Sequence, residues 1–381
     1  MAHRRPSRTV EIGPVEVTDV DGVRRITAPV DGAPVWFESR DAALGAAPEA
    51  VASAFLIPAL HRGARLHLVD APDPEWLANV DRLLPILGEW WCYPALAPAA
   101  PAPAVAPAAA PAGRASALFF SGGLDSFYAL LASGERPGML VTVHGFDVAL
   151  DDVRRMAAVE ASLREVGAAL GRRTVLVRTD LREHPLMRGA PWERAHGGAL
   201  AAVGHLLCSE VAEALIAASI STLHAGAWGS HWRTDALFSS GRMRVRQVGM
   251  DRRRWQKARA IAGEPLAQRH LRVCWRNRVD AANCSRCDKC LITRLMLADC
   301  GALDRFAGFD GTATLARDLD ALPVLHERVG SLAAIVEQRH VGEEIWRAAH
   351  ALLRRTRHAQ RPDVRLRRAV LRTLLRWAGR A

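Results

Sequence analysis

Residues 116–131 constrain the fold of this chain more than any other stretch. Residues 117–120 are a continuous apolar run, which is typical of a strand buried on both faces of a parallel sheet. Residues 121–123, Ser-Gly-Gly, interrupt this run, and Asp125 then opens a segment with helical spacing of apolar residues. The sequence therefore predicts a strand, a glycine turn and a helix in immediate succession.

A glycine turn at a helix N-terminus is suited to binding an anion. Glycines let the backbone approach a ligand closely, and the first N–H groups of the helix have no partner within it. Ser121 and Ser126 add hydroxyl groups, and Asp125 could hold a magnesium ion against phosphates. No Gly-Lys pair occurs in the chain, so this is not the Walker phosphate loop. An ordinary Gly-Gly turn is the alternative interpretation.

The hexapeptide Ser-Gly-Gly-Leu-Asp-Ser at 121–126 resembles the PP-loop of the ATP pyrophosphatase superfamily. That superfamily includes asparagine and NAD synthetases, tRNA thiolation enzymes and the 7-cyano-7-deazaguanine synthases. The resemblance implies an adenine nucleotide α-hydrolase-like fold, with adenine bound near Val143 and His144. It also implies that the phosphates of ATP are held by Ser121, Gly122, Gly123, Leu124, Asp125 and Ser126.

The segments after this loop alternate between strand and helix patterns. The sequence predicts strands at 139–143, 174–178 and 222–227, a helix starting at 151, and a long helix over 195–217. Such alternation predicts an α/β fold with a doubly wound parallel sheet. Ligands of such sheets bind beyond the carboxyl ends of the strands, so we expect the loops there to form one cleft.

Two further segments resemble functional parts of the deazaguanine synthase branch. The loop from Gly226 to Asp235 resembles its Gly-rich loop facing the acceptor, so Asp235 would bind magnesium or position the nucleophile. An N-cap or surface acid is the alternative for Asp235. Lys257, one of only two lysines, resembles a helix lysine that reaches the phosphates, and a solvent-facing lysine is the alternative.

Four of the seven cysteines fall at Cys274, Cys284, Cys287 and Cys290. Four thiolates fill a closed tetrahedral zinc site, although an iron–sulfur cluster can use the same ligands. The spacing resembles the zinc knuckle of the deazaguanine synthases, except that the first spacer has nine residues instead of eight. The chain shows no secretory signal and no apolar run near the ~20 residues that span a bilayer, so we expect a cytoplasmic protein.

These features predict four regions. Residues 1–93 form a small N-terminal α+β module without a chemical motif, which could serve substrate recognition or dimerisation. Residues 94–113 form an Ala/Pro linker, and residues 114–310 form the ATP pyrophosphatase domain with the knuckle at 274–290. Residues 311–381 form a basic helical region, whose last forty residues hold eleven arginines against three acidic residues.

By resemblance, the expected activity is ATP-dependent adenylation of a carboxylate or amide oxygen, followed by displacement of AMP by ammonia or another nucleophile. The expected cofactors are ATP, magnesium and zinc, and the expected acceptor is a small molecule. A homo-oligomer is compatible with the sequence, and RNA is a less favoured partner. Residues 237–244 lack the family's Gly-Tyr-Pro-Asp-Cys-Arg segment, which places the deazapurine substrate in doubt. The alternatives are a tRNA base-modifying enzyme and a non-catalytic nucleotide-binding scaffold.

Overall fold

The structure is a computed structural model that describes residues 8–101, 115–223, 226–277, 279–326 and 328–363. It divides into two compact units, Met1–Arg252 and Arg253–Ala381. Most of the predicted Ala/Pro linker, and the part of the predicted basic helical region beyond residue 363, lie outside the described residues. Within the described ranges, no helix is both long and apolar enough to cross a membrane.

The first unit combines one mixed sheet with flanking helices. Its strands are β1 (Arg8–Ile12), β2 (Glu16–Val20), β3 (Val23–Val30), β4 (Ala33–Ser39), β5 (Ala64–Leu68), β6 (Ala115–Phe119), β7 (Met139–His144), β8 (Arg173–Thr179), β9 (Val211–Ala217) and β10 (Arg244–Val248). Its helices are α1 (Pro48–His61), α2 (Pro74–Trp91), α3 (Leu124–Leu131), α4 (Val153–Leu170), α5 (Pro185–Arg188) and α6 (Trp192–Leu206). The α/β class predicted from the sequence is therefore confirmed.

The sheet runs in the order β10-β9-β6-β7-β8-β4-β3-β1-β5, and β2 pairs with β3. The strands β10, β9, β6, β7 and β8 pair in parallel with their neighbours. Strands β6, β7 and β8 follow one another across one side of this parallel part. The chain then returns to place β9 on the other side of β6, so the strand order reverses at β6.

The N-terminal strands extend this sheet. Strand β4 pairs antiparallel with β8, and the partners are Phe37 with Thr179 and Glu38 with Arg178. Helix α1 packs against α6 so closely that a Cβ atom at Gly198 would lie 2.3 Å from Ser53 O. This long-range pairing of β4 with β8 has no local sequence signal.

The long helix predicted over residues 195–217 is wrong in its second half. Helix α6 ends at Leu206, and residues 211–217 form β9, between β6 and β10. The alanines of this segment favour a helix, but pairing on both edges inside a sheet overrides that local preference. The strand predicted over 222–227 is also wrong, because its described residues lie outside any strand.

The second unit is helical apart from the cysteine-rich segment. Its helices are α7 (Arg254–Ile261), α8 (Pro265–His270), α9 (Asp288–Asp299), α10 (Leu315–Ala321), α11 (Val329–Gln338) and α12 (Glu343–Gln360). Helix α9 is almost entirely buried and contacts α7, α10 and α11. The cysteine-rich segment leads directly into α9, so the packing of α9 in the core of this unit fixes where that segment lies.

Candidate functional site

The loop after β6 has the backbone that the sequence predicted. Gly122 has φ of +70°, a left-handed conformation that other residues adopt at a cost, and Gly123 occupies the N-cap of α3. Ser126 Oγ donates to Gly123 O at 3.0 Å, and Gly123 N donates to Ser121 Oγ at 3.3 Å. The two hydroxyl oxygens lie 3.4 Å apart. The loop therefore places two hydroxyl groups beside the first turn of a helix.

This loop lies where an α/β sheet binds ligands. It follows the carboxyl end of β6, the strand at which the strand order reverses. Ser121 is exposed and Asp125 is half-buried in the first turn of α3, whereas Leu124 is buried in the core. Leu124 therefore anchors the helix, and the residues on either side of it remain accessible to a ligand.

The end of β7 is tightly packed. A Cβ atom at Gly145, where φ is +106°, would lie 2.0 Å from Thr179 O, so only glycine fits. His144 is buried, and its Nε2 lies 2.9 Å from Ala149 O. Burial lowers the pKa of His144, which favours the neutral ring. The His144 side chain thus holds the following turn.

Aromatic side chains follow the carboxyl ends of three parallel strands, a feature that the sequence interpretation missed. Phe146, after β7, lies 5.1 Å from the ring of Trp192, which begins α6 after β8. His196 connects Trp192 to Trp228 of the loop after β9, at ring distances of 6.2 and 5.7 Å. The guanidinium of Arg182 lies 4.6 Å from the Trp192 ring. Trp192 and Trp228 lie 13 and 11 residues beyond the ends of β8 and β9, so their spacing along the chain carries no signal for this aromatic cluster.

Asp235 lies at the centre of a buried hydrogen-bond network. Its Oδ2 accepts from Ser230 Oγ at 2.7 Å and from Gln247 Nε2 at 3.2 Å, and its Oδ1 accepts from His231 N at 2.9 Å. Only 1% of Asp235 is exposed, and burial raises its pKa to about 7. Asp235 is therefore not a surface acid. Its hydrogen bonds hold the loop over residues 226–235 against β10.

The same loop is pressed against α6 through a pair of glycines. A Cβ atom at Gly197 would lie 2.0 Å from Gly229 O, and Gly229 N donates to Glu193 O at 2.9 Å. On the other side, the ring of His231 lies 4.8 Å from that of Trp90 in α2. The loop over residues 226–235 is therefore fixed from both sides by packing that tolerates no added side chain at Gly197.

Lys257 lies in α7 of the second unit and is 1% exposed. A lysine is almost never fully buried unless it has a partner, so a solvent-facing lysine is excluded. Its predicted contact with phosphates remains a prediction.

The four predicted cysteine ligands meet at one point. The sulfur atoms of Cys274, Cys284, Cys287 and Cys290 all lie within 4.8 Å of one another. Ligands about 2.3 Å from a zinc ion at tetrahedral angles have their sulfurs roughly 3.8 Å apart, and the Cys284 and Cys290 sulfurs are 3.9 Å apart. Three of these cysteines are buried, and Cys287 N donates to Cys284 Sγ at 3.3 Å. The residues present therefore fit a closed four-thiolate metal site.

The proton affinities of these thiols also favour a bound cation. Hydrogen bonds from Cys287 and Cys290 lower the pKa of Cys274, and the contact with Cys274 in turn raises the pKa values of Cys287 and Cys290. Deprotonation of Cys274 therefore makes deprotonation of Cys287 and Cys290 less favourable. A divalent ion bound by all four sulfurs would remove this competition by stabilising every thiolate.

Asn283 joins the two halves of the cysteine-rich segment. Its Oδ1 accepts from Val273 N at 2.8 Å and from Cys274 N at 3.2 Å. Its Nδ2 donates to Leu271 O at 2.8 Å. One buried amide thereby positions the backbone of the first ligand relative to the other three.

A polar cavity of about 630 Å³ lies elsewhere in the first unit, between α4 and the face of β2, β3, β4 and β8. Its lining includes four arginines and four carboxylates. Glu38, which is buried, accepts from both Arg25 and Arg178. The lining has no excess charge of either sign, and none of the residues predicted from the sequence contributes to it.

Comparison of the chain with protein-family models, with curated proteins and with solved structures finds no significant match.

Proposed function

We propose that the protein is an ATP pyrophosphatase that adenylates a small-molecule acceptor. The observation that carries the proposal is the loop over residues 121–126, which joins β6 to α3 at the reversal of strand order. The N–H groups of a helix N-terminus, with two hydroxyls beside them, favour the binding of a phosphate chain. The strand order of the parallel part also supports the doubly wound fold expected from the sequence.

In the proposed reaction, the Ser121, Gly122, Gly123 and Ser126 groups hold the β- and γ-phosphates. An oxygen of the acceptor attacks the α-phosphorus, the bond to the bridging oxygen breaks, and pyrophosphate leaves. Ammonia or another nucleophile then displaces AMP. Asp125 would hold a magnesium ion, which neutralises charge on the phosphates, and Lys257 would stabilise the developing negative charge.

The remaining predicted residues have supporting roles in this proposal. Asp235 acts by fixing the loop over residues 226–235, because its oxygens already accept bonds from that loop and from Gln247. The four cysteines would hold one zinc ion that stabilises the fold. Four thiolates leave no open coordination position for activating water.

The identity of the products tests the proposal. Cleavage between the α- and β-phosphates yields AMP and pyrophosphate, whereas an ordinary ATPase yields ADP and phosphate. A protein that binds ATP without cleaving it under any acceptor condition would instead support the scaffold alternative.

A further inference from the structure

The loop between the first two cysteine ligands exposes an unusual amount of apolar surface. Trp275 is 55% exposed and Val279 is 44% exposed. Asn277, which lies between them, has φ of +49°, and its Oδ1 accepts from Arg272 Nη2 at 2.7 Å, which restrains the backbone at that residue. An exposed tryptophan offers a ligand a large flat apolar face together with one N–H donor.

Arg276 covers part of the indole of Trp275. Its guanidinium carbon lies 5.7 Å from the ring, within the range of a cation–π contact. Its Nη2 lies 3.8 Å from Oδ1 of Asp288, a largely buried carboxylate at the start of α9. Because Asp288 restrains the arginine, Trp275 presents the rest of its surface to solvent in a defined orientation.

The surrounding segment is positively charged. Residues 269–289 include six basic residues and two acidic ones. A zinc ion with four thiolates carries two negative charges, and the segment remains positive when these are included. Arg286, which is exposed, forms no ion pair with any residue that the structure describes, so its charge is available to a ligand.

We propose that Trp275, Arg276 and Arg286, here called the knuckle tip, bind single-stranded nucleic acid. An unpaired base stacks on the indole of Trp275, and the two arginines contact the adjacent phosphates. A duplex offers no free base to stack, and two apolar side chains are too few to insert into a membrane. The proposal does not depend on adenylation, so binding can succeed or fail independently of the ATP reaction.

The test is the fluorescence anisotropy of a labelled oligouridylate with the zinc-loaded full-length protein at several salt concentrations. Trp275→Ala should weaken binding about fivefold or more, as expected for the loss of one stacked base. Arg286→Gln should lower the slope of log affinity against log salt by about 0.7, as expected for one phosphate contact. Zinc content should be unchanged in both variants.

Two matched variants serve as controls. Trp232→Ala removes a tryptophan that is 40% exposed in the first unit, and Arg24→Gln removes a partly exposed arginine there, which pairs with Asp19. Both should bind like the unmodified protein. The proposal is overturned if oligouridylate does not bind, if the controls weaken binding equally, or if duplex RNA binds as tightly. Equal competition by polyglutamate would also overturn it and would indicate an acidic protein partner.

Discussion

Arg294 Nη1 donates to Asp318 Oδ2 at 2.8 Å, and the arginine side chain is fully buried. The other N–H groups of the Arg294 guanidinium also donate hydrogen bonds. Nε donates to Asp310 O, Nη1 also to Ser285 O, and Nη2 to Gly311 O and Thr314 Oγ1. Arg294 therefore connects α9, α10 and the backbone between two cysteine ligands.

Arg294→Met should destabilise the protein by about 3–5 kcal/mol, because it leaves a buried carboxylate without its main partner. Arg317 also lies near Asp318, at 3.3 Å, but it is 71% exposed. Arg317→Met should therefore cost at most about 1 kcal/mol. Urea unfolding of both variants measures the difference. Equal effects would show that the buried bonds of Arg294 do not hold this unit together.

Gly197→Ala should displace the loop over residues 226–235, because the new Cβ atom would lie 2.0 Å from Gly229 O. Overpacking of this kind costs about 1–3 kcal/mol. Gly45→Ala is the matched control in the same unit, since its nearest atom would be Leu206 O at 3.9 Å. Thermal unfolding should distinguish them, and a fully stable Gly197→Ala protein would contradict the described packing.

Asp235 should make stability depend on pH. Burial raises its pKa from 3.8 to about 7, so between these values the folded protein keeps a proton that the unfolded chain releases. The contribution of Asp235 to the free energy of unfolding is complete at low pH and is lost as the pH rises towards 7. In Asp235→Asn, the free energy of unfolding should lose a pH dependence of up to about 1.4 kcal/mol per pH unit. Urea unfolding of both proteins from pH 4 to 8 measures this, and parallel curves would contradict it.

The cysteine site should hold about one zinc ion per chain in protein purified without chelator. Cys287→Ser should weaken zinc binding by at least ~100-fold, because even the loss of an outer-shell contact costs 10–100-fold. Cys92→Ser, at an exposed cysteine of the first unit, should leave the zinc content unchanged. Elemental analysis measures both. Stoichiometric iron with visible absorption would instead support the iron–sulfur alternative.

The local features of the candidate site were predictable from sequence, because each is encoded within a few residues. The turn at Gly122 and Gly123 follows from two glycines between an apolar strand and a helix. The convergence of Cys284, Cys287 and Cys290 follows from two-residue spacers. In both places the spacing itself fixes which side chains come together.

The features that were missed depend on contacts distant in sequence. The pairing of Glu38 with Arg178 joins segments 140 residues apart, and nothing near either residue indicates it. The burial of Asp235 depends on its contact with Gln247, which lies twelve residues further along the chain. Residues 211–217 have helix-favouring alanines, yet neighbours on both edges make them a strand.

The measurement that tests the central proposal most directly is product analysis of γ-labelled ATP incubated with the protein, magnesium, ammonia and a small-molecule extract as acceptor source. We predict label in pyrophosphate, with AMP in equal amount, and loss of both in folded Asp125→Ala. Asp81→Ala, at an exposed position of α2, should retain activity. Label in inorganic phosphate with ADP as the other product, unchanged in Asp125→Ala, would contradict the account.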